Sequence, residues 1–410
     1  MLPSLQPTRP IQPGQPPDPL PRRRPPARRR SSGLHPAAAL CNADWHIAAP
    51  LLAALAATWH TDIASIATGV AAHSLGQGLA LPLWGWSADR FGPARSLRAG
   101  LLLAAAANAA CALCSGVESW VALRAAAGVG FAAVAPSVAL SYDRLPTSRD
   151  RQRAFAGLTT VTAASAIAAP VVTGVAAHLG TWRSVFAVLA LCTAATAARV
   201  RVEVPTTVYG RGTRSAPEPT HRPAGRSGRT GTAYLTVIGM GVAEGAVMLA
   251  LPALLAPVLA AAGAQQAASA ALVVYAAGVL GSTLVLRRHA RRWGPVKLLT
   301  AGGSLGCAGA VLVAVTPSVA VVLLCAAVLG VAWGYLHTTL QTWLPHLVPA
   351  AERARAASSF AAAAMLANSV VVAASTSALQ SGHHAPVFAA GAVLCALLTG
   401  WAVSTARHWR

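Results

Sequence analysis

Apolar residues in this chain fall in long unbroken windows, with polar residues gathered in the short segments between them. Windows of about 20 apolar residues, the length that crosses the hydrocarbon core of a bilayer as a helix, recur twelve times. The pattern predicts an all-α membrane protein with twelve transmembrane helices. The predicted spans are 37–57, 65–85, 97–117, 120–142, 154–178, 182–199, 232–254, 266–286, 297–316, 318–341, 355–378 and 385–405.

The two halves of the chain repeat each other at an offset of 202 residues. The polar segment 85–95, GWSADRFGPAR, returns in degenerate form as RRWGPVK at 291–297. At the same offset Pro50 corresponds to Pro252, and the charged segment 150–153 corresponds to 352–355. One ungapped shift that aligns two charged loops and helix interiors indicates a tandem duplication. We therefore expect two six-helix bundles of the same fold.

Two polar segments set the expected domain boundaries. Residues 1–36 are rich in Pro and Arg, a composition that predicts a disordered basic cytoplasmic tail. Residues 200–231 are rich in Arg, Pro, Gly and Thr, which predicts a flexible cytoplasmic linker. The expected bundles are then 37–199 and 232–410.

Basic residues distinguish the two sides of the membrane. All but two of the 32 Lys and Arg residues lie in the tail, in loops after even-numbered spans, or at the C-terminus. The exceptions are Arg183, in an opposite loop, and Arg124, within span 4. Because cytoplasmic loops carry the excess of positive charge, we expect a multi-pass protein with both termini in the cytoplasm. The expected location is a bacterial inner membrane.

Composition argues against other classes of protein. Only 10% of the residues are charged and the mean hydropathy is +0.54, whereas soluble domains carry about 25% charged residues. The net charge of +21 follows the loops, so we expect a lipid bilayer and no nucleic acid as partner. The seven cysteines are scattered through apolar segments without ligand partners. We expect no metal, no cofactor and no enzymatic activity, because no constellation of nucleophile, metal ligands or phosphate loop is present.

The segment between spans 2 and 3 resembles the signature of the major facilitator superfamily, Gly-x-x-x-Asp-Arg-x-Gly-Arg-Arg. The matching residues are Gly85, Asp89, Arg90 and Gly92, with Arg95 just beyond them. Positions 93 and 94 depart from the two Arg of the signature. The resemblance covers the chain from about residue 37 and implies two bundles that rock about a midplane site. It also implies a gating role for this loop.

The charged residues of this loop can form an ion pair that holds one conformation. Gly92 permits a tight turn, and Gly85 is expected to let a neighbouring helix approach. Asp89 is free to pair with Arg90, Arg95 or the positive end of a helix, and such a pair can hold one conformation and release in another. The alternative is that these charges only anchor the loop in water.

Two further patterns resemble proton-coupled members of the family. Arg124, Gly128 and Gly130 match the span 4 pattern Arg-x-x-x-Gly-x-Gly. An Arg within a span is costly and normally faces the bundle interior or a wet cavity, although Arg124 could instead extend to headgroups beside Glu118. In span 5, Pro170 belongs to a partial match to the antiporter pattern Gly-x-x-x-Gly-Pro-x-x-Gly-Gly.

Two acids lie within spans and are candidates for proton coupling together with Arg124. Glu244 lies in span 7 between two glycines, and Asp44 lies in span 1, two positions from the repeat counterpart of Glu244. An acid at bilayer depth is a functional candidate by default. Glu244 is the stronger one, since Asp44 lies nearer the cytoplasm and has the alternative of being solvated. Either acid could pair with Arg124.

Amphipathic residues within the spans are candidates for lining a substrate cavity. They are Trp45, His73, Gln77, Pro170, Tyr275, Trp333, Tyr335, His337, Gln341 and Asn368. Because few fixed charges lie among them, the expected substrate is a small, largely apolar compound. The expected function is its proton-coupled efflux by alternating access, carried out by a monomer. The alternatives are a proton symporter that imports a metabolite and a sensor of the same fold that does not transport.

Overall fold

The computed structural model describes residues 33–143, 145, 148–200, 227–289, 293–349 and 353–408, whose regular structure is helical. The helices of the first half are α1 (Leu34–Thr58), α2 (Ile63–Phe91), α3 (Pro93–Leu113), α4 (Val117–Phe131), α5 (Val134–Asp143), α6 (Ser148–His178) and α7 (Trp182–Arg199). Those of the second half are α8 (Ser227–Glu244), α9 (Ala250–Ala261), α10 (Ala267–His289), α11 (Pro295–Val315), α12 (Val319–Trp343), α13 (Arg353–Gln380) and α14 (His384–His408).

These helices form the twelve predicted spans. Span 4 consists of α4 and α5, and span 7 consists of α8 and α9 joined by a π-helical turn over Gly245–Leu249. Among the described residues, ten spans are long and apolar enough to cross a membrane. The other two are α2, which carries polar residues along its length, and the short α7.

Several boundaries differ from the sequence predictions. The span predicted over 120–142 is found as Val117–Tyr142, but within it Ala132 and Ala133 separate α4 from α5. Pro136 explains the break, since it has no N–H to donate to the carbonyl of residue 132. Helix α1 begins inside the predicted tail, and α8 begins inside the predicted linker. Residues 1–32 and 201–226 lie outside the described part of the chain.

The ends of α2 show how the sequence terminates a span. Asp62 is its N-cap, and its carboxylate accepts hydrogen bonds from the backbone N–H and the hydroxyl of Ser65 at 2.8 and 2.7 Å. These hydrogen bonds hold the pKa of Asp62 below its usual value. At the other end Gly92 adopts a φ of +91°, which favours glycine, and Pro93 begins α3 at once.

The two halves pack their helices in the same way. In the first half α1 packs against α6, α2 against α4, and α3 against α7. The helices related to these by the repeat form the pairs α8–α13, α10–α12 and α11–α14. The interfaces between the halves follow the same symmetry, since α2 packs against α13 and α10 against α6. This arrangement is the paired-bundle architecture that the tandem duplication predicts.

Glycines at the 202-residue offset make the equivalent helix contacts. A Cβ added to Gly76 would meet the carbonyl oxygen of Ala125, and one added to Gly278 would lie 2.5 Å from the carbonyl oxygen of Ala327. Gly128 and Gly330 repeat this relationship against the backbones of residues 73 and 275. Small residues that let helix backbones approach are the usual means of close packing in membranes. The duplication therefore preserves particular backbone contacts as well as helix order.

Hydrogen bonds join the halves along α2 and α13. Asn368 Nδ2 donates to Ser74 Oγ at 2.9 Å, and Ser369 Oγ donates to the Ala71 carbonyl oxygen at 2.8 Å. The side chains of Asn368 and Ser74 are completely buried. These polar contacts fix the position of α2 against α13 at the middle of both helices.

Candidate transport site

Asp44 and Arg124 form a buried ion pair in the first half. Arg124 Nη1 donates to Asp44 Oδ1 at 2.9 Å, and Nη2 donates to the Asp44 backbone carbonyl oxygen at 3.1 Å. His73 approaches from α2, with its Nδ1 3.2 Å from Asp44 Oδ2. The exposed fractions are 0% for Asp44, 1% for Arg124 and 2% for His73. Three helices thus meet around one negative and one positive charge.

Packing around α4 explains why Arg124 faces inward. Gly128, one turn further along, lets α4 run against the backbone of α2 at His73. Towards the α3–α4 loop, the Trp120 and Phe186 ring centroids lie 5.6 and 5.9 Å from Arg124 Cζ. Such cation–π contacts stabilise a guanidinium away from water. The alternative in which Arg124 extends to headgroups is therefore wrong, and so is the alternative of a solvated Asp44.

Several buried polar atoms at this level of the bundle lack a hydrogen-bond partner. They are Asp44 Oδ2, Arg124 Nε, both ring nitrogens of His73, Gln77 Oε1 and Asn368 Oδ1. The approach of His73 Nδ1 to Asp44 is thus an ion-pair distance without hydrogen-bond geometry. Buried polar groups are nearly always satisfied in proteins, so each of these atoms retains capacity for a further hydrogen bond.

Glu244 forms the second buried acid–base pair, in the other half. Its Oε1 lies 2.6 Å from His337 Nδ1, while its Oε2 has no partner. Trp333, one turn earlier on α12, stacks on the His337 ring with a centroid distance of 4.1 Å and an interplanar angle of 17°. Glu244 is fully buried, whereas 19% of the His337 side chain is exposed. The π-helical turn begins at the residue after Glu244.

The two pairs involve equivalent helices but different bases. The repeat relates α1 to α8 and α4 to α12, and each pair joins an acid on the first helix to a base on the second. The predicted pairing of Arg124 with an acid is found for Asp44. The alternative pairing with Glu244 is wrong in this structure, because Arg124 is engaged by Asp44 and Glu244 by His337. The bases could not be matched from the sequence because Arg124 and His337 are not repeat counterparts.

Four other predicted cavity residues lie near these pairs. Trp45 is edge-on to His73, with ring centroids 6.0 Å apart. Gln77 Nε2 approaches Cys41 Sγ at 3.9 Å on the same side of α1 as Asp44. Asn368 binds α2 from the other half, and Tyr275 on α10 lies within electrostatic reach of Glu244.

The remaining three predicted cavity residues do not contact either acid–base pair. Tyr335 packs against Trp293 in the α10–α11 loop, with ring centroids 6.1 Å apart. Pro170 is buried within α6. Gln341 lines a small gap between α12 and α13. These three side chains lie away from the two pairs in this structure, and their part in a substrate cavity stays a prediction.

The α2–α3 loop is exposed, and among the described residues Asp89 has no ion pair with Arg90 or Arg95. The Arg90 guanidinium instead lies over the rings of Trp86 and Phe91, 5.7 and 5.8 Å from their centroids. No atom lies within 4 Å of a Cβ built on Gly85, so the expected close approach of a helix there is absent. Arg95 is exposed, as the anchoring alternative requires.

A depression of about 610 Å³ lies between the halves at the end formed by the α1–α2 and α9–α10 loops. Its floor is mostly Ala from α1 and α9, and its polar lining is His60, Thr61, Asp62, Gln265 and Gln380. None of the predicted cavity residues lines it. Sequence reasoning missed this site because it considered residues within spans, whereas the lining lies at span ends. Among the described residues no group of three His, Cys, Asp or Glu side chains could hold a metal ion.

Twelve spans in two equivalent bundles, with buried charges facing their interior, define a multi-pass membrane transporter. The profile of the Major Facilitator Superfamily matches residues 34–372, and the chain belongs to that family. No curated protein sequence matches the chain significantly.

Three solved structures show how closely the fold agrees. The D-xylose-proton symporter has a TM-score of 0.72 at 17% identity, covering 90% of this chain and 95% of the symporter. The peptide transporter POT, solved as a point mutant, has a TM-score of 0.71 at 15% identity, covering 92% and 94%. The nucleoside transporter NupG has a TM-score of 0.65 at 14% identity, covering 91% and 98%. Identities this low show the shared fold alone.

Proposed function

We propose that this transporter is proton-coupled and exports a small, largely apolar compound by alternating access. The observation that carries the proposal is the buried ion pair of Asp44 and Arg124, with Arg124 Nη1 2.9 Å from Asp44 Oδ1 and His73 beside it. A buried ion pair is weak evidence for stability, because the cost of desolvating both charges rivals their attraction. Its presence within a membrane span favours a functional role.

Protonation of Asp44 is the proposed coupling step. Asp44 Oδ2 accepts no hydrogen bond and lies 3.2 Å from His73 Nδ1, so a proton can bind there while Oδ1 still holds Arg124. A neutral Asp44 no longer compensates the guanidinium, which then favours a conformation that offers it water or another acceptor. The proton binds differently in the two conformations, and that difference is what shifts the equilibrium between them.

The two bundles are the units that move in the proposed transport cycle. The halves meet along α2–α13 and α6–α10, and the depression lies between them at one end. Rocking of the two bundles about these interfaces would open and close that end around the buried pairs. We propose the exposed α2–α3 loop as the gate, with Gly85, Asp89, Arg90, Gly92 and Arg95 as its residues. Asp89 would be free to pair when the helices around it move.

The direction of transport is proposed from the family resemblance. The Arg124 pattern and the partial span 5 pattern around Pro170 resemble proton-coupled exporters. Exchange predicts that an inward proton flux accompanies outward movement of substrate. Import by symport and a sensor without transport are the competing outcomes of the experiment below.

The test is substrate-dependent proton movement in proteoliposomes that contain a pH-sensitive dye. Wild type should move protons against the substrate flux, and Asp44→Asn and Arg124→Gln should abolish the coupled movement. Glu118→Gln, which removes an exposed carboxylate at the start of α4, is the matched control and should behave as wild type. Proton and substrate fluxes in the same direction would show symport, and absence of flux for every compound tested would favour the sensor. Unchanged coupled flux in both ion-pair variants would refute the assignment of the coupling site.

We also propose a bacterial inner membrane with both termini in the cytoplasm, because the basic loops require that orientation. A fluorescent protein fused to the C-terminus should be fluorescent, and alkaline phosphatase at the same place should be inactive. Active phosphatase would contradict the orientation.

A further inference from the structure

The two buried acids differ in how their charge is compensated. Asp44 is paired with Arg124, and a guanidinium stays protonated in proteins. Glu244 is paired with His337, whose imidazole exists in a neutral and a protonated form. The first pair therefore has a permanent counter-charge, whereas the second carries a net negative charge whenever His337 is neutral.

No other described cation compensates Glu244. On the α13 side, Gly241 and Gly245 pack against backbone and small side chains, and Arg355 is held over the Tyr234 ring at 5.6 Å. From α10 the titratable group is Tyr275. On α14 the Cys395 thiol donates to the Gly303 carbonyl oxygen, and Lys297 lies in the first turn of α11 beside the α10–α11 loop.

The free atoms of this pair suit a positively charged ligand. Glu244 Oε2 is a fully buried carboxylate oxygen without a hydrogen-bond partner. Trp333 provides the aromatic ring that binds cations most strongly, and its stacking on His337 at 4.1 Å places that ring beside the imidazole that contacts the carboxylate. The partly exposed His337 side chain marks the side from which a ligand reaches the carboxylate.

We propose that Glu244, His337 and Trp333 form the substrate site for an organic cation with an apolar or aromatic body. The inference rests on the proposed function and names the substrate class. The cation binds the Glu244 carboxylate and Trp333 when His337 is neutral, and a protonated His337 competes with it for the same carboxylate. Binding of one cation therefore releases one proton to water.

The surrounding helix can adapt to such a ligand. The π-helical turn at Gly245–Leu249 follows Glu244 directly, and single π turns within α-helices are frequent at functional sites. Met240 and Met248 are buried in the same span, span 7, and methionine side chains repack with little cost. Space for the ligand can then form without unfolding a span.

The test is equilibrium binding of radiolabelled methyltriphenylphosphonium to the full-length protein in lipid nanodiscs, without any gradient. Triphenylphosphine oxide has the same three rings and no charge, so it serves as the competitor that isolates the charge. We expect phosphonium binding that the oxide does not displace, with an affinity that rises up to about tenfold per pH unit while His337 is protonated.

Three variants make the assignment specific. Glu244→Gln should weaken phosphonium binding by about tenfold or more, and His337→Gln should retain binding but remove its dependence on pH. Trp333→Leu should weaken binding at every pH. Glu118→Gln is the matched control and should leave binding unchanged, and the elution profile and unfolding temperature of each variant show whether it is folded.

Three results would each overturn the inference. The first is phosphonium binding that survives Glu244→Gln with the same pH dependence. The second is displacement of the phosphonium by an equal concentration of the oxide, and the third is absence of phosphonium binding by folded wild type. None of them bears on the proposed function, which is measured separately as proton movement lost in Asp44→Asn and Arg124→Gln. Loss of that movement's dependence on Asp44, with phosphonium binding intact, would refute the coupling site alone.

Discussion

Arg124 binds Asp44 twice, through the carboxylate and through the backbone carbonyl of the same residue. The contact to the backbone holds the guanidinium against α1 whether or not the carboxylate is charged. Protonation of Asp44 would therefore weaken the link between α4 and α1 without breaking it at once. This geometry suits a coupling step in which the proton binds before the helices move.

Removing the charge of Asp44 should destabilise the protein as well as uncouple it. Asp44→Asn leaves the Arg124 guanidinium buried without a counter-charge, and breaking a buried pair in this way typically costs about 3–5 kcal/mol. We expect a lower unfolding temperature by tryptophan fluorescence in detergent. The double variant Asp44→Asn/Arg124→Gln should recover much of the stability but none of the coupled transport. A double variant no more stable than Asp44→Asn would show that the uncompensated charge is not the cause.

Glycine contacts in α10 should be sensitive to a single methyl group. Gly278→Ala places a Cβ 2.5 Å from the Ala327 carbonyl oxygen, so α10 and α12 must separate, at a cost of about 1–3 kcal/mol. Gly281 lies one turn away on the same helix with open space around it. Gly281→Ala is the matched control and should be neutral or slightly stabilising, since Ala favours helix over Gly. Equal losses of stability in both variants would contradict the contact.

The hydrogen bond between the halves should appear as coupling in a double-mutant cycle. Asn368→Ala and Ser74→Ala each remove one partner of a buried 2.9 Å bond, and we expect a coupling energy of about 0.5–1.5 kcal/mol. Ser377→Ala, an exposed position on the same helix, should show no coupling to Ser74→Ala. Unfolding free energies of the four proteins in each cycle give the value.

The N-cap of α2 should make the free energy of unfolding depend on pH in the acidic range. Because the folded state holds the pKa of Asp62 below its usual value, its contribution is present above the unfolded pKa and is lost as pH falls through the folded pKa. At neutral pH, Asp62→Ala should cost about 0.5–2 kcal/mol. Asp62→Asn keeps a capping side chain, so it should cost less and remove this part of the pH dependence. The measurement is unfolding of the three proteins between pH 7 and pH 3, and a loss in Asp62→Ala that does not shrink towards pH 3 would contradict the cap.

Hydropathy predicted the twelve spans because bilayer thickness fixes the length of each helix whatever its neighbours are. Arg124 was identifiable for a related reason, since a charge in a span requires a partner. Which acid serves as that partner depends on helix packing, so the sequence could not decide whether Arg124 pairs with Asp44 or with Glu244. The role of His337 was missed because nothing in the sequence shows that its ring reaches Glu244, a 2.6 Å contact that depends on how α12 packs against span 7. Pro136 did carry the signal for the break in span 4, which the apolar pattern concealed.

The π-helical turn after Glu244 also changes how the two halves should be aligned. A π turn accommodates one more residue than an α turn, while Pro50 and Pro252 beyond it keep the offset of 202. Residues before the turn are then matched at 201, so Asp44 corresponds to Gly245 rather than Ala246. The two acids stand one position apart, about 100° around the helix axis. One extra residue, absorbed inside one helix, would thus set the two acids at different positions on equivalent helices, each opposite a base on the equivalent partner helix.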